Sequence, residues 1–259
     1  MLLEVKDLNI SLASGKCVAE HISFRLGQGE MLSIVGSSGA GKTTICKAIM
    51  GLLGNTYRAD GEILFQGEDL LDLPERERQI IYGKEICMIM QNPMTAFNPS
   101  IRVGRQMEKT YLLHHGKTPK QEMQRLFTGI LQRLGLEDTQ RILNSYPFTL
   151  SGGMLQRLMI AAALMCQPSL LVADEATTAI DACNRIGLMR ELKSFCKDGM
   201  SVLFVTHDLR SASVSDRILV MDRGQIVEQD TTERILNAPK EDYTKYLLNA
   251  CRLERRKMP

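Results

Sequence analysis

Eight consecutive residues constrain the fold of this chain more than any other feature. Residues 36–43 read GSSGAGKT and follow the short apolar segment MLSIVG. They match the pattern G-x-x-x-x-G-K-[ST], in which the backbone N–H groups of a glycine-rich loop surround a phosphate. The apolar stretch after the loop has helical spacing, and the positive end of such a helix also attracts a phosphate. The sequence therefore predicts a strand–loop–helix unit in a parallel α/β sheet.

This phosphate cradle, residues 36–44, predicts a role for two of its side chains. Lys42 is expected to reach the β- and γ-phosphate oxygens, and the hydroxyl of Thr43 is expected to bind Mg²⁺. A chance glycine-rich turn is the competing interpretation, which the fit of every position in this context disfavours. The predicted nucleotide-binding residues are Gly36, Ser37, Ser38, Gly39, Ala40, Gly41, Lys42, Thr43 and Thr44.

Two carboxylates end a second apolar strand. Residues 170–175 read LLVADE, which predicts a buried strand beside MLSIVG in the sheet. Asp174 would hold Mg²⁺ through water or through Thr43, and Glu175 would orient and polarise an attacking water as a general base. An acidic pair at a strand end is as often a helix cap, so the functional interpretation depends on the phosphate cradle.

A second turn of small residues opens another apolar helix. Ser151, Gly152 and Gly153 precede the segment LQRLMIAAALM. The Ser151 hydroxyl and the two glycine amides can point at a γ-phosphate, because a helix N-terminus favours anions. As a lone motif this turn would be an ordinary N-cap. Its position shortly before the two carboxylates favours a second anion site.

The rest of the chain separates into antiparallel, helical and parallel segments. LEVKDLNISL and AEHISFRL predict antiparallel strands, and residues 61–67 predict another hairpin strand bounded by glycines. Apolar residues recur at helical spacing from about residue 102 to 143. SLLVADE and SVLFVTHD predict parallel strands, and DRILVMDRGQIVEQ predicts a closing hairpin. We expect one α/β domain with a helical insertion.

Composition and charge disfavour several classes of partner. Lys and Arg number 32 against 30 Asp and Glu, and a formal charge of +2 provides no broad cationic surface for nucleic acid. Neither a membrane-spanning apolar run nor a signal peptide is evident, so we expect a cytosolic protein. The seven scattered cysteines predict buried reduced thiols. His114 and His115, in a predicted polar loop, are expected to be solvated.

Taken together, the motifs at residues 36–43, 151–153 and 170–175 resemble those of the ATP-binding subunits of ABC transporters, whose signature is LSGGQ. The resemblance spans residues 2–250, and Met154 replaces the signature glutamine. It implies a P-loop NTPase fold of the ABC ATPase type, with an N-terminal antiparallel β subdomain and a helical subdomain inserted at about residues 95–165. It also implies one nucleotide-binding domain over residues 1–251, followed by a short basic tail at 252–259.

The same resemblance implies a mechanism in which ATP, with Mg²⁺ as cofactor, lies between the cradle of one subunit and the signature of another. Gln91 in IMQNP would sense the γ-phosphate and Mg²⁺. His207 in VTHDL would contact the γ-phosphate and hold the attacking water with Glu175. Asp181 in TTAID would cross the dimer interface, and Gln156 would extend the signature contact to the opposite ATP.

The transporter class follows from further similarity. MQNPMTAFNP, YPFTLSGGMLQR and APKEDYT are similar to the nickel and peptide importer subfamily, the group of NikD, DppD and OppD. Peptide members generally carry a longer C-terminal extension with clustered cysteines, so the resemblance favours the nickel type. It implies an ATPase that powers uptake of nickel or a related metal complex, with dipeptide or oligopeptide import as the alternative. The implied partners are a second, distinct ATPase subunit, two membrane permease subunits and an extracytoplasmic solute-binding protein.

An SMC or DNA-repair ATPase is the alternative outside transport. Such proteins share the cradle, the signature and the carboxylates, but they insert long coiled coils between them and bind DNA. No heptad pattern runs between Thr43 and Ser151, and the near-neutral charge does not suit a DNA clamp. The favoured interpretation is a transport ATPase without nucleic-acid partners, bound peripherally at the cytoplasmic face of the membrane.

Overall fold

A computed structural model of the chain describes residues 1–176 and 182–256. Its strands are β1 (Leu3–Leu12), β2 (Cys17–Leu26), β3 (Met31–Gly36), β4 (Tyr57–Phe65), β5 (Glu68–Asp69), β6 (Ile86–Ile89), β7 (Leu170–Asp174), β8 (Ser201–Thr206), β9 (Arg217–Asp222) and β10 (Gln225–Thr231). Its α-helices are α1 (Lys42–Ile49), α2 (Glu75–Ile81), α3 (Val103–His115), α4 (Lys120–Arg133), α5 (Thr139–Asn144), α6 (Gly152–Met165), α7 (Ala182–Cys196), α8 (Leu209–Ala212), α9 (Thr232–Asn237) and α10 (Asp242–Arg256).

The N-terminal strands form the antiparallel sheet expected from their alternating pattern. Its strand order is β2-β1-β4-β5. The prediction that the third strand starts at Gly61 is wrong, because β4 already begins at Tyr57. Gly61 lies within β4, with φ 115°, where the register with β1 shifts between Lys6 and Asn9. A Cβ at Gly61 would lie 2.6 Å from the Asp7 carbonyl oxygen, so a bulge packed this closely requires glycine.

The second sheet carries the motifs. Its order is β10-β9-β3-β8-β7-β6, and all neighbours pair in parallel except β10 with β9. Side chains of β7 alternate between two hydrophobic cores: Leu170 and Val172 face the antiparallel sheet, while Leu171 and Ala173 face the helical region. Burial on both faces explains why these strands read as continuous apolar runs.

The expected adjacency of β3 and β7 is wrong. β8 pairs with both strands and lies between them. The chain leaves β7, forms α7 and returns as β8, a crossover that adds a parallel strand beside the preceding one. The carboxyl ends of β3, β7 and β8 therefore meet at one edge of the sheet, so the loop after β8 lies between the cradle and the carboxylate strand.

Helices occupy the region where helical spacing was expected. On α4, Met123, Phe127, Ile130 and Leu131 are buried and join a core that also contains residues of α3, α6 and α7. Their three- and four-residue spacing places these apolar side chains on one face of α4, and the helical region packs against one face of the parallel sheet. The subdomain boundaries near residues 95 and 165 stay a prediction.

Two smaller expectations are corrected by the structure. His114 and His115 lie in the last turn of α3 rather than in a loop, and the ring of His115 stacks on Tyr111 at a centroid distance of 4.2 Å. Both histidine side chains are partly buried rather than fully solvated. Among the cysteines with described side chains, Cys17 is exposed and Cys251 is half-buried, whereas the others are buried as expected.

A third, smaller core lies on the far side of the cradle strand. Val35 of β3 packs there with Ile218 and Val220 of β9 and with residues of α8 and α9. Partly buried side chains of α10, including Tyr243 and Leu247, cover it. The backbone of α10 continues to Arg256, into the segment expected to be a tail. The C-terminal helix therefore lies against the strand that leads into the cradle.

Candidate functional site

The cradle loop connects β3 to α1 and is closely packed at both ends. A Cβ at Gly36 would lie 2.3 Å from the carbonyl oxygen of Met221, and one at Gly41 would lie 2.8 Å from that of Val18. Gly41 also has φ 94°, a left-handed conformation that favours glycine. The two glycines are thus required by neighbouring backbone, which fixes where the loop leaves the sheet and enters the helix.

Lys42 is folded back over this loop. Its ammonium donates to the carbonyl oxygens of Gly36, at 2.9 Å, and Ser37, at 2.8 Å. Burial lowers the pKa of Lys42, while the nearby carboxylates of Glu175 and Asp174 raise it. The structure therefore places a buried cation between the loop backbone and the two acidic side chains.

Thr43 and Asp174 meet across the sheet edge. The Thr43 hydroxyl donates to Oδ1 of Asp174 at 3.1 Å. Burial raises the pKa of Asp174, the hydrogen bond from Thr43 lowers it, and the charge of Glu175 raises it further. Because Mg²⁺ usually takes only one or two protein ligands and completes its shell with phosphate and water oxygens, this hydroxyl–carboxylate pair fits such a cation. Within the described residues, no cluster of three or more His, Cys, Asp or Glu offers an all-protein metal site.

Glu175 lies where the loops after three strands converge. The Gln91 side-chain amide, in the loop after β6, donates to Oε2 of Glu175 at 2.7 Å. Nδ1 of His207, after β8, lies 3.2 Å from Oε1. The backbone of Glu175 has φ 48°, an uncommon conformation for a residue with a side chain, and its N–H donates to Val205 of β8 at 2.9 Å. The carboxylate is thus held from both sides in one orientation.

A hydrogen-bonded aspartate follows the histidine. Asp208 caps α8 by accepting from the Arg210 backbone N–H at 3.0 Å, and its other oxygen lies 3.1 Å from the guanidinium of Arg185. The Ser211 hydroxyl donates to it at 2.8 Å. Burial acts to raise the pKa of Asp208, but these hydrogen bonds outweigh it and the pKa is lowered. A carboxylate anchored in this way fixes the backbone next to His207.

The signature turn lies apart from this cluster. Ser151 is exposed and caps α6, and its Oγ accepts from the Met154 backbone N–H at 3.2 Å. Gly152 and Gly153 form the first turn of the helix. Gln156 does not share this surface, because its side chain is fully buried. The expectation that Gln156 contacts an opposite ATP is therefore corrected.

The structure thus brings together most of the predicted residues of one nucleotide site. The set with described contacts to one another comprises Gly36, Ser37, Lys42, Thr43, Gln91, Asp174, Glu175 and His207. Ser38, Gly39, Ala40 and Thr44 belong to the same loop and the first turn of α1. Asp181 lies outside the described residues.

One neighbour of the site was not predicted. The backbone N–H of Ser37 donates to the hydroxyl of Tyr243 on α10 at 3.1 Å. The only sequence signal for this residue is its place in the late segment APKEDYT, which reads as part of a subfamily pattern without indicating contact with the cradle.

Comparison with known proteins agrees with this geometry. The family model described as ABC transporter matches residues 19–178. The chain is 41% identical over 251 residues to the metal-staphylopine import system ATP-binding protein CntD of Staphylococcus aureus strain Mu50, covering 96% of this chain and 92% of CntD. It is 43% identical over 254 residues to the oligopeptide transport ATP-binding protein OppD of Bacillus subtilis strain 168, covering 95% of this chain and 71% of OppD.

A solved structure shares the fold over most of the chain. It is a dimeric ATP-binding cassette in a post-hydrolysis state with ADP and Pi, which superposes with a TM-score of 0.78 at 26% identity and covers 89% of this chain and 99% of that one. This likeness confirms the expected ABC ATPase fold. No described helix has the length and apolar character needed to cross a membrane. The chain belongs to the ABC transporter family, as an ATP-binding and ATP-hydrolysing subunit of an importer.

Proposed function

We propose that the chain hydrolyses Mg–ATP at a site completed by a second ABC ATPase subunit, and that this reaction drives uptake of nickel or a related metal complex. The observation that carries the catalytic part is the Glu175 carboxylate, held between Gln91 and His207 at 2.7 and 3.2 Å. Fixed orientation of this kind suits a general base that must align a water with a phosphorus atom.

The cradle supplies the binding half of the reaction. Loop amides and the N-terminus of α1 would face the phosphates, and the Lys42 ammonium would turn from its carbonyl partners to the β- and γ-oxygens. Thr43 and Asp174 would hold Mg²⁺, with Gln91 as a further oxygen ligand. Bound there, the cation would neutralise phosphate charge.

The remaining groups act on the water and the γ-phosphate. Glu175 accepts the proton of the attacking water, while Gln91 and His207 keep its carboxylate from rotating. Because Nδ1 of His207 faces Glu175, its other ring nitrogen is available for the γ-phosphate. Asp208, held by Arg185 and Ser211, positions the histidine backbone.

The signature completes the site of the opposite subunit. Ser151 and the first amides of α6 form an exposed anion-binding surface that contacts its own helix rather than the cradle. The similar cassette solved as a dimer with ADP and Pi supports assembly of two cassettes. We propose that each γ-phosphate lies between one cradle and the opposite signature, so that ATP closes the dimer and hydrolysis opens it. Asp181 would cross the same interface.

The permease subunits would dock beside the Gln91 loop. A cavity of about 410 Å³ lies between the sheet and the helical region, lined by Met50, Met88, Met90, Phe97 and Met107 among others. Flexible methionine side chains suit a surface that must repack as a partner moves. Movement of Gln91 and of α3 would displace a permease segment docked in this cavity. Docking there would place the chain peripherally at the cytoplasmic face of the membrane.

Docking at this cavity is tested by Met90→Glu, which adds a charge to its rim. We expect loss of co-purification with the permease subunits and unchanged affinity of the purified chain for ATP. Tyr246→Glu is the matched control, because Tyr246 on α10 is at least as exposed as Met90 but lies away from the cavity. Equal permease recovery with both variants would refute this docking site.

The solute is the least constrained part of the proposal. CntD supports a metal complex and OppD supports an oligopeptide, at nearly equal identity. The two are separated by ATPase activity of the complete transporter, with receptor loaded either with Ni²⁺ or with peptide. Stimulation by the metal-loaded receptor would support the proposal, and stimulation by the peptide-loaded receptor alone would replace nickel with peptide.

A further inference from the structure

The cradle loop is held from outside by the C-terminal helix. The Ser37 N–H donates to the Tyr243 hydroxyl at 3.1 Å, although the two residues are 206 positions apart. Lys42 uses the carbonyl oxygens of Gly36 and Ser37, so its contacts and that of Tyr243 engage different atoms of the same turn. Tyr243 can therefore keep its hydrogen bond when Lys42 turns toward a phosphate.

The position of Tyr243 is set by packing and by hydrogen bonds around the start of α10. The Glu228 carboxylate of β10 accepts from the backbone N–H groups of Lys240, at 2.8 Å, and Glu241, at 3.2 Å. The tyrosine ring packs into the third core with Val35, which immediately precedes Gly36. Both ends of the side chain are thus fixed, and its hydroxyl is brought to the first turn of the loop.

The far end of α10 contacts the histidine segment. The Arg210 guanidinium on α8 donates to the carbonyl oxygen of Cys251 at 2.9 Å. The Arg210 backbone in turn donates to Asp208, which follows His207. One helix therefore contacts both the loop expected to bind the β-phosphate and the segment that carries the histidine.

We propose that Tyr243 is a positioning residue for the phosphate cradle, and that α10 is thereby part of the nucleotide site. The inference rests on the proposed role of residues 36–44. A Cβ at Gly39 would meet no atom within 4 Å, so the middle of the loop is open and its shape depends on how its ends are held. Removing the Tyr243 hydroxyl frees the first turn to rotate, and its amides then face the phosphate less favourably.

The test compares Tyr243→Phe with Tyr246→Phe in the full-length chain. Phenylalanine keeps the ring in the third core and removes only the hydroxyl. Tyr246 lies on the same helix, is 67% exposed and stacks on Tyr243, so it is a matched control. Isothermal titration with Mg–ADP should show about three- to tenfold weaker binding for Tyr243→Phe, the range of one hydrogen bond, and unchanged binding for Tyr246→Phe.

Thermal unfolding separates positioning from stability. We expect the nucleotide-free Tm of Tyr243→Phe to fall by no more than about 2–4 °C, because the N–H of the exposed Ser37 can bond water instead. The rise in Tm on adding Mg–ADP should be smaller than in wild type. If Tyr243→Phe binds Mg–ADP with the affinity of the wild-type chain, the inference is overturned, whether or not its nucleotide-free Tm is lower. Lys42→Ala distinguishes the two proposals: if it also binds like wild type, the cradle assignment fails, whereas if it alone loses binding, only the role of Tyr243 is refuted.

Discussion

The cradle and the signature are both glycine-bearing turns at helix N-termini, yet they differ in their contacts with the rest of the chain. The ends of the cradle are held by other elements: Lys42 is buried, Thr43 contacts Asp174, and the Tyr243 hydroxyl accepts from the Ser37 N–H. The signature is exposed, and Ser151 contacts only the first turn of its own helix among the hydrogen bonds described for it. In the proposed function, one chain builds the hydrolytic half of a site and presents the other half outward. The difference between the two turns is what we expect of a chain that complements another subunit.

The largest effect is expected from Glu175→Gln, which tests the proposed hydrolytic half. Loss of the general base should lower ATP hydrolysis by the assembled complex about 10²–10⁴-fold. ATP binding should persist, because the amide keeps the size of the side chain and removes no cradle contact. Steady-state ATPase and titration with ATP check the two parts, with Glu233→Gln on the exposed face of α9 as control. Near-normal turnover would refute the base assignment.

Lys42→Ala should lower affinity for ATP about 100-fold or more, because it deletes a charge-assisted contact with two phosphates. Lys47→Ala is the control, since Lys47 is exposed on the same helix. Fluorescence titration of the purified chain measures both variants. Equal loss of ATP affinity in both variants would show that any change in α1 disturbs binding. If neither variant loses affinity, the phosphate site is not at residues 36–44.

Ser151→Ala should act only in the assembly, because Ser151 is proposed to contact the ATP of the other subunit. Hydrolysis by the complex should fall about tenfold or more, with ATP affinity of the isolated chain unchanged. Loss of the N-cap costs the helix about 1 kcal/mol, so folding should survive. Thr149→Ala, two residues before Ser151, is the control. Weakened ATP binding by the isolated Ser151→Ala chain would contradict a role in trans.

The smallest effect concerns stability. Because burial raises the pKa of Asp174, the folded state binds this proton more tightly than the unfolded state, and the contribution of Asp174 to stability falls as pH rises through its folded pKa. Asp174→Asn removes this cost, so we expect a Tm about 2–4 °C higher near neutral pH. The gain should shrink as pH falls below the folded pKa. Thermal scans across pH check this, and a gain that grows toward acid pH would contradict it.

The cradle and the carboxylates could be predicted from local motifs. The cradle and the carboxylates were readable because each is encoded by a few consecutive residues at a strand end. The position of β8 between β3 and β7 was not readable, because strand order depends on a crossover rather than on any residue of the motifs. The start of β4 at Tyr57 was missed because Gly61 reads as a turn, although it lies within the strand opposite a bulge in β1.

Contacts between segments distant in the chain could not be predicted from the sequence. Gln156 lies five residues after the exposed Ser151, but the face it occupies on α6 is buried by neighbouring elements. Tyr243 was unassigned because its contact with Ser37 depends on where α10 packs. In both cases the decisive information is the tertiary packing of a helix, which periodicity alone does not give.

We propose that the signature of this chain faces the cradle of another subunit when ATP is bound. Phe148 is 68% exposed and lies three residues before Ser151, so a photoreactive benzoylphenylalanine at this position reports what faces the signature. Tyr246, 67% exposed on α10, is the matched control position. In the Glu175→Gln complex, we predict an ATP-dependent cross-link from position 148 to the cradle peptide of the second ATPase subunit, identified by mass spectrometry. Cross-links that do not depend on ATP, or that join position 148 only to its own chain, would contradict the account.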